Sequence, residues 1–91
     1  MRAVVVTVLI DLPPDHKYHR ATLEALAHAS ADRGIPIDIR VVPTNAIGDA
    51  FRIATPGSAV VVGPGSPYRD PDSANEVVRK ARERNIPLVG T

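Results

Sequence analysis

The sequence predicts an open, three-layer α/β fold in which about four parallel strands form a sheet flanked by helices. Two observations support this prediction: short β-branched apolar runs alternate with segments of helical spacing, and proline or glycine follows the runs. The predicted order is β-α-β-(α)-β-α-β, which implies right-handed crossovers. Because the chain has 91 residues, we expect one small domain over 1–91.

Four apolar segments are the predicted strands. Val4–Ile10 is a continuous β-branched run, which is typical of a strand covered on both faces. Ile37–Val42 alternates apolar and polar residues and is closed by Pro43. The remaining strands are Ala59–Val62 and Ile86–Val89.

The first predicted helix covers His16–Arg33 and ends at Gly34, a typical C-terminal cap residue. Four positions at i, i+3, i+4 and i+7 spacing form its inward stripe: Leu23, Leu26, Ala27 and Ser30. A short helix within 44–55 is also predicted, with Thr44 or Asn45 as its cap. Its apolar positions are Ile47, Ala50, Phe51 and Ala54, although Gly48 weakens it.

The last predicted helix begins with Asp70 as N-cap and Pro71 in its first turn, or in a later register with Ser73 and Glu76 as a capping box. It runs to about Arg84. Its predicted buried face consists of Ala74, Val77, Val78 and Ala81. Acidic residues in its first turns and basic residues in its last turns complement the helix dipole.

Composition excludes several classes of function. A net charge of +1 and three aromatic residues argue against binding to nucleic acid or to an anionic membrane surface. Because the chain has no cysteine, it has no disulfide framework, thiolate nucleophile or zinc–thiolate site. The apolar run after Met1 lacks a small-residue cleavage site and is interpreted as a strand, and no segment is long enough to span a bilayer. We therefore expect a cytoplasmic location.

The loop after the third strand is the most informative candidate site. A Gly-x-Gly turn (Gly63 to Gly65) between a strand and a helix can present backbone N–H groups to an oxyanion or phosphate. It matches neither a dinucleotide-binding fingerprint nor a P-loop, and Pro64 and Pro67 each remove a donor. The motif alone leaves a tight structural turn as the alternative.

Other chemically capable residues have simpler interpretations. His16 and His19 have helical metal-pair spacing but no convincing third ligand, so we expect no metal site and solvated histidines, His28 included. Asp11, at the end of the first strand, either binds a ligand or caps the loop. The basic residues between 79 and 84 are interleaved with glutamate and are interpreted as a solvated helix face. No serine lies in a nucleophile elbow.

Two segments together resemble a known family. Val60–Arg69, with the letters VVVGPGSPYR, and Ile86–Thr91, with IPLVGT, look like the triad-type (class I) glutamine amidotransferase domain. The similarity is to the branch related to the C-terminal domain of CTP synthase, and Tyr18–Leu26 looks like its first helix. The resemblance covers most of the chain, with 44–55 contributing least. It implies a flavodoxin-like, class I glutamine amidotransferase-like sheet that is incomplete here.

The resemblance also implies a chemistry. In this family a cysteine thiolate attacks the side-chain amide of L-glutamine and releases ammonia for a synthetase partner or domain, with a histidine and a glutamate completing the triad. Gly63, Gly65, Ser66 and Tyr68 would form the oxyanion and substrate loop. Gly90 and Thr91 would be the run-up to the nucleophile elbow. Ser66 and Pro67 stand where CTP synthase has a second glycine and a phenylalanine, a departure that bears on the exact oxyanion donor and on the shape of the glutamine pocket.

The nucleophile, its histidine and its glutamate are not in the chain, and the nucleophile is expected directly after Thr91. We therefore expect these 91 residues to be inactive alone and to need no cofactor. Three explanations are open: trimming of a longer protein, a degenerate gene, or a UGA codon that is read as selenocysteine, since this group includes selenoproteins.

The leading interpretation is a fragment of a CTP synthase-like ligase of pyrimidine nucleotide biosynthesis, which hydrolyses glutamine. Two other functions are alternatives to it. One is a small flavodoxin-like module that binds phosphate or nucleotide through the Gly63 loop. The other is a self-associating module, because an incomplete parallel sheet exposes an edge and an apolar face.

Overall fold

The computed structural model describes residues 3–13, 15–48, 57–63 and 68–90. The elements in chain order are β1 (Val4–Leu9), α1 (Lys17–Arg33), β2 (Ile37–Val42), a 3-10 helix (Thr44–Ala46), β3 (Ser58–Val62), α2 (Pro71–Glu83) and β4 (Leu88–Gly90). The predicted alternation of strands and helices is confirmed.

The four strands form one parallel sheet in the order β2-β1-β3-β4. Val8 of β1 lies in register with Val41 of β2 and with Val61 of β3. This order is that of a flavodoxin-like sheet, and it reverses direction between β1 and β3. Ligands of such sheets bind beyond the carboxyl ends of the strands at that reversal.

Apolar side chains cover both faces of the sheet, so the predicted three layers are confirmed. On the α2 side the buried cluster contains Leu9, Ile47, Val60, Val77, Ala81 and Ile86. On the α1 side it contains Val6, Val8, Ile10 and Val61, with Leu23 and Leu26 of the helix packed against it. Because β1 contributes to both clusters, its continuous apolar run is explained.

Helix α1 begins one residue later than predicted, because His16 is its N-cap and accepts a hydrogen bond from the backbone N–H of Tyr18. It ends as predicted at Gly34, whose φ of 65° is in the left-handed region that favours glycine. The predicted stripe is partly wrong, since Ala27 is exposed. No helix in the described part of the chain is long and apolar enough to cross a membrane.

Helix α2 begins at Pro71 with Asp70 as its N-cap, which confirms the first predicted register. The alternative capping box is wrong, because Glu76 pairs with Arg79 on the helix surface. Within the predicted buried face, Val78 is only half-buried, whereas the other three residues are buried. The helix ends one residue early, at Glu83.

Three predicted strands have ends that differ by one or two residues: β1 ends before Ile10, β3 begins at Ser58, and β4 covers Leu88–Gly90. The shift of β4 has a clear cause. The N–H of Ile86 donates to the carbonyl of Ala81 at 2.8 Å, closing the end of α2, and proline at 87 has no N–H to give to the sheet. Ile86 therefore contributes its side chain to the core and no ladder hydrogen bond.

The helix predicted within 44–55 is, in its described part, a single 3-10 turn, Thr44–Ala46. Pro43 occupies the cap position, so neither Thr44 nor Asn45 is the cap. Ile47 is buried, as its apolar character predicted. The other apolar positions of that prediction, Ala50, Phe51 and Ala54, lie outside the described residues.

Candidate functional site

Asp11 lies two residues beyond the end of β1, at the carboxyl edge of the sheet. Its Oδ1 accepts a hydrogen bond from the backbone N–H of Thr44 at 2.8 Å. Its Oδ2 accepts from the Thr44 hydroxyl at 2.7 Å and from the backbone N–H of Arg69 at 2.9 Å. One carboxylate therefore connects the segments that follow β1, β2 and β3.

Thr44 is fully buried at the centre of this network. Its hydroxyl donates to Asp11 and accepts a hydrogen bond from the backbone N–H of Asp70 at 2.9 Å. The hydroxyl thus acts both as a donor and as an acceptor, which is expected because buried polar groups are normally hydrogen-bonded. We call Asp11, Thr44, Arg69 and Asp70 the edge network.

Hydrogen bonds set the charge state of the two carboxylates in the edge network. Burial acts to raise the pKa of Asp11, but the bonds from Arg69 and Thr44 outweigh it, so the pKa lies below its ordinary value. The pKa of Asp70 is also lowered, chiefly by the hydroxyl and then by the backbone N–H of Ser73, which donate to it at 2.7 and 3.1 Å. Both groups are therefore negatively charged at neutral pH.

Gly63 follows β3 and begins the predicted oxyanion loop. Its N–H donates to the carbonyl of Leu9 at 2.8 Å, which ties the loop to β1. A Cβ atom here would lie 3.1 Å from Cδ1 and 3.2 Å from Cβ and Cγ1 of Ile10. A larger residue at this position would therefore require the side chain of Ile10 to move by a few tenths of an ångström.

Tyr68, at the far end of the same loop, is half-buried, and its hydroxyl donates to the carbonyl of Gly63 at 2.9 Å. The two ends of the loop are thus bonded to each other. Gly65 and Ser66, the predicted donors, lie outside the described residues.

The predicted elbow run-up is described only at its first residue. Gly90 is the last residue of β4 and lies in register with Val62. Val62 immediately precedes Gly63, so the sheet brings the end of β4 beside the start of the loop. Thr91 lies outside the described residues.

The histidines differ from one another in their surroundings. His16 and His28 are not buried, but His19 is 5% exposed, so the prediction of three solvated histidines is wrong for it. Its Nδ1 lies 3.0 Å from the carbonyl oxygen of Leu12, which anchors α1 to the loop after β1. Among the described residues no three histidine, aspartate or glutamate side chains are grouped to hold a metal ion.

Arg79, Arg82 and Arg84 near the end of α2 are exposed, as predicted, whereas the side chain of Lys80 is only 16% exposed, so the prediction of a solvated face is wrong for it. Arg79 pairs with Glu76 and Glu83, and Lys80 pairs with Glu83. Exposed pairs such as those of Arg79 contribute little to stability.

Sequence reasoning missed the part played by Thr44. The signal was available, because a polar residue two positions after the end of β2 and an aspartate two positions after the end of β1 lie at the same edge of a parallel sheet. What could not be foreseen was that the third partner is a backbone N–H, that of Arg69, since every residue except proline carries the same backbone donor.

The chain is 32% identical over 94 aligned positions to a CTP synthase from Methanopyrus kandleri, and the match covers 99% of the chain. The chain spans 17% of the length of that relative. The match supports a CTP synthase-related domain. No family model and no solved structure matches the chain.

Proposed function

We propose that the chain is the front part of a class I glutamine amidotransferase domain, whose complete form hydrolyses L-glutamine and passes ammonia to a synthetase. The observation that carries the proposal is that Gly90, at the end of β4, pairs with Val62, the residue before Gly63, at the carboxyl edge of the sheet. The similarity to CTP synthase over nearly the whole chain supports it.

The arrangement suits the chemistry. Attack on an amide carbonyl creates an oxyanion, which backbone N–H donors of a glycine turn can stabilise. The nucleophile must approach the same carbon from nearby, and a residue that follows β4 would lie next to that turn. Gly65 and Ser66 are the proposed donors, and Gly90 and Thr91 are the proposed approach to the nucleophile.

The 91 residues alone are expected to be inactive on L-glutamine, because they include no cysteine to form the attacking thiolate. We propose that the nucleophile is encoded after Thr91, as cysteine or as selenocysteine. CTP formation is the proposed use of the ammonia, and no cofactor is needed for the hydrolysis.

The nucleotide sequence that follows codon 91 tests this proposal. We expect an in-frame cysteine or UGA codon, then further coding sequence with a histidine and a glutamate near its end. Non-coding sequence, or a coding sequence without these residues, would overturn the proposal.

A second candidate, self-association of the chain, is favoured by an apolar groove of about 500 Å³ between α1 and the β3–β4 half of the sheet. Residues on α1 line one side, and Val61 and Val89 line the floor. Val89 is 58% exposed, which is unusual in a parallel sheet. We propose a second copy of the chain as the occupant.

Sedimentation equilibrium of the 91-residue chain tests this second candidate. A monomer–dimer equilibrium is expected, which Val89→Glu shifts towards monomer because it puts a charge into the groove. Glu24→Gln, an exposed change on α1, is the control and should leave the equilibrium unchanged. If the chain were monomeric at all concentrations, self-association would be excluded.

A further inference from the structure

Strand β2 lies at one edge of the sheet, and no strand in the described part of the chain lies beyond it. The strand covers Ile37–Val42 and is bounded by Pro36 and Pro43. An edge strand carries a row of backbone N–H and C=O groups that can pair with a further strand. The direction of these groups and the charges beside them decide which strand fits the edge.

The backbone groups of alternate β2 residues point in opposite directions within the plane of the sheet. The carbonyl of Pro36 accepts a hydrogen bond from the N–H of Val4, in β1, at 3.0 Å. The carbonyl of Val42 accepts one from the N–H of Ile10, directly after β1, at 3.2 Å. Residues at even positions therefore face β1, and the N–H and C=O groups of the odd positions face the outer edge: Ile37, Ile39 and Val41.

The side chains of β2 alternate between the two faces of the sheet. Ile37 and Ile39 pack against the cluster on the α1 side, whereas Val42 packs against the cluster on the α2 side. Asp38 and Arg40 share the face of Val42, and their side chains are 48% and 63% exposed. One negative and one positive charge therefore lie two residues apart on the same face of an edge strand.

We propose that β2 is an interaction surface for a second copy of the chain, through antiparallel β2–β2 pairing about a two-fold axis at Ile39. In that register the outward backbone groups of Ile39 bond to those of the same residue in the second copy, and Ile37 bonds to Val41. Asp38 then lies directly opposite Arg40 of the second copy. This position makes no hydrogen bond between the two backbones, and facing side chains are closest there.

The charge pattern selects this register over its neighbours. A shift by two residues in one direction would place Asp38 opposite Asp38, and a shift in the other direction would place Arg40 opposite Arg40. Like charges directly opposite each other destabilise a pair of strands. A shift by one residue would set backbone groups that face β1 against groups at the outer edge, so the backbone bonds would be lost. The edge is thus complementary to itself, as a symmetric interface requires.

This surface is separate from the apolar groove, which lies on the β3–β4 half of the sheet, towards the opposite edge. The inference goes beyond both proposed functions, because it depends neither on glutamine hydrolysis nor on occupation of the groove. A six-residue strand from each copy makes a small interface. We therefore expect dimers at roughly millimolar chain concentration and monomers at roughly micromolar concentration.

Sedimentation equilibrium of the 91-residue chain with charge reversals in β2 tests the proposal. Every chain carries Val89→Glu, which blocks the groove contact, so that only association through β2 is measured. Asp38→Arg and Arg40→Asp each place like charges opposite each other, and each should raise the dimer dissociation constant about tenfold. An equimolar mixture of these two variants should associate again, because every facing pair then has opposite charges.

Two further variants separate facing charges from net charge. The double variant Asp38→Arg with Arg40→Asp keeps the net charge of the chain, and it should self-associate as strongly as the chain without these changes. Arg82→Asp reverses an exposed charge on α2, and it should leave the dissociation constant unchanged.

Amide hydrogen exchange identifies the strand that pairs, and it needs no substitution in β2. Protection should rise with chain concentration at Ile37, Ile39 and Val41, and it should stay constant at Asp38 and Arg40. Exchange at the outward-facing positions that is independent of concentration would overturn the proposal, and so would association that both charge reversals leave unchanged. Because the groove is blocked and no glutamine is present, neither result bears on the two proposed functions.

Discussion

The carboxylate of Asp11 accepts a hydrogen bond from the backbone N–H of Arg69 at 2.9 Å, joining the end of β1 to the start of α2. This bond, together with those from Thr44, holds the pKa of Asp11 below its ordinary value against the opposing effect of burial. A depressed pKa in the folded state means that the stabilisation is present above the ordinary pKa. It is lost as the pH falls through the folded pKa.

We therefore expect the free energy of unfolding to fall below about pH 4 in the wild type, in part because Asp11 is protonated. Asp11→Asn should lower the free energy of unfolding at pH 7 by about 2 kcal/mol, since charge-assisted hydrogen bonds are lost. The free energy of unfolding of this variant should also depend less on pH in the acidic range. Urea unfolding monitored by circular dichroism from pH 3 to pH 7 measures both effects.

Asp38→Asn is the matched control, because Asp38 pairs with Arg40 while both side chains are well exposed. It should change the free energy of unfolding by less than about 0.5 kcal/mol. If the free energy of unfolding fell equally with decreasing pH in the wild type and in Asp11→Asn, the assigned role of Asp11 would be contradicted.

Gly63→Ala should destabilise the fold by about 1–3 kcal/mol, the usual cost of overpacking a close contact. The cause is Ile10, three of whose side-chain atoms lie 3.1–3.2 Å from the position of the added Cβ. The same change in an Ile10→Ala background should cost less, because two of those atoms are gone. A double-mutant cycle from thermal unfolding measures the coupling, and purely additive effects would show that Ile10 is not the obstacle.

Val77→Ala should lower the free energy of unfolding by about 2 kcal/mol, since it removes two methyl groups from the core between α2 and the sheet. Val77 is fully buried there. Val89→Ala removes the same atoms from a side chain that is 58% exposed, and it should be nearly neutral. Chemical denaturation at low protein concentration compares the two, and equal losses would mean that Val89 is covered.

Calorimetry with inorganic phosphate and with nucleotides should show no binding to the chain. The N-terminus of α2, where a phosphate would sit, is already occupied by the carboxylate of Asp70, and Asp11 adds a second negative charge nearby. A measurable heat of binding that Asp70→Asn strengthens would favour the phosphate-binding module over the amidotransferase.

The fold was largely predictable because its signals are local. Each signal sets the conformation of a short stretch of backbone, and the structure confirms all three. They are the β-branched run that begins at Val4 and forms a strand, Gly34 at the end of α1, and the Asp70–Pro71 pair at the start of α2. The strand at Ile86 was misplaced because its apolar side chain serves the core while its N–H closes the preceding helix. Residue type does not separate these two uses.

The candidate site was less predictable, for a physical reason. Asp11 was recognised as a polar residue at the right edge, but its partners include the backbone N–H of Arg69, whose donor is independent of side-chain identity. His19 was expected in solvent, and its burial depends on the path of the loop after β1, where the carbonyl of Leu12 lies against its ring. Long-range contacts of this kind are set by tertiary packing.

The most direct measurement of the central proposal is glutamate release from L-glutamine by the protein translated in frame through and beyond codon 91. Release of glutamate is expected, and it should be lost when the residue after Thr91 is replaced by alanine, while the 91-residue chain releases none. A folded longer protein that leaves L-glutamine unchanged, alone and with its synthetase, would contradict it.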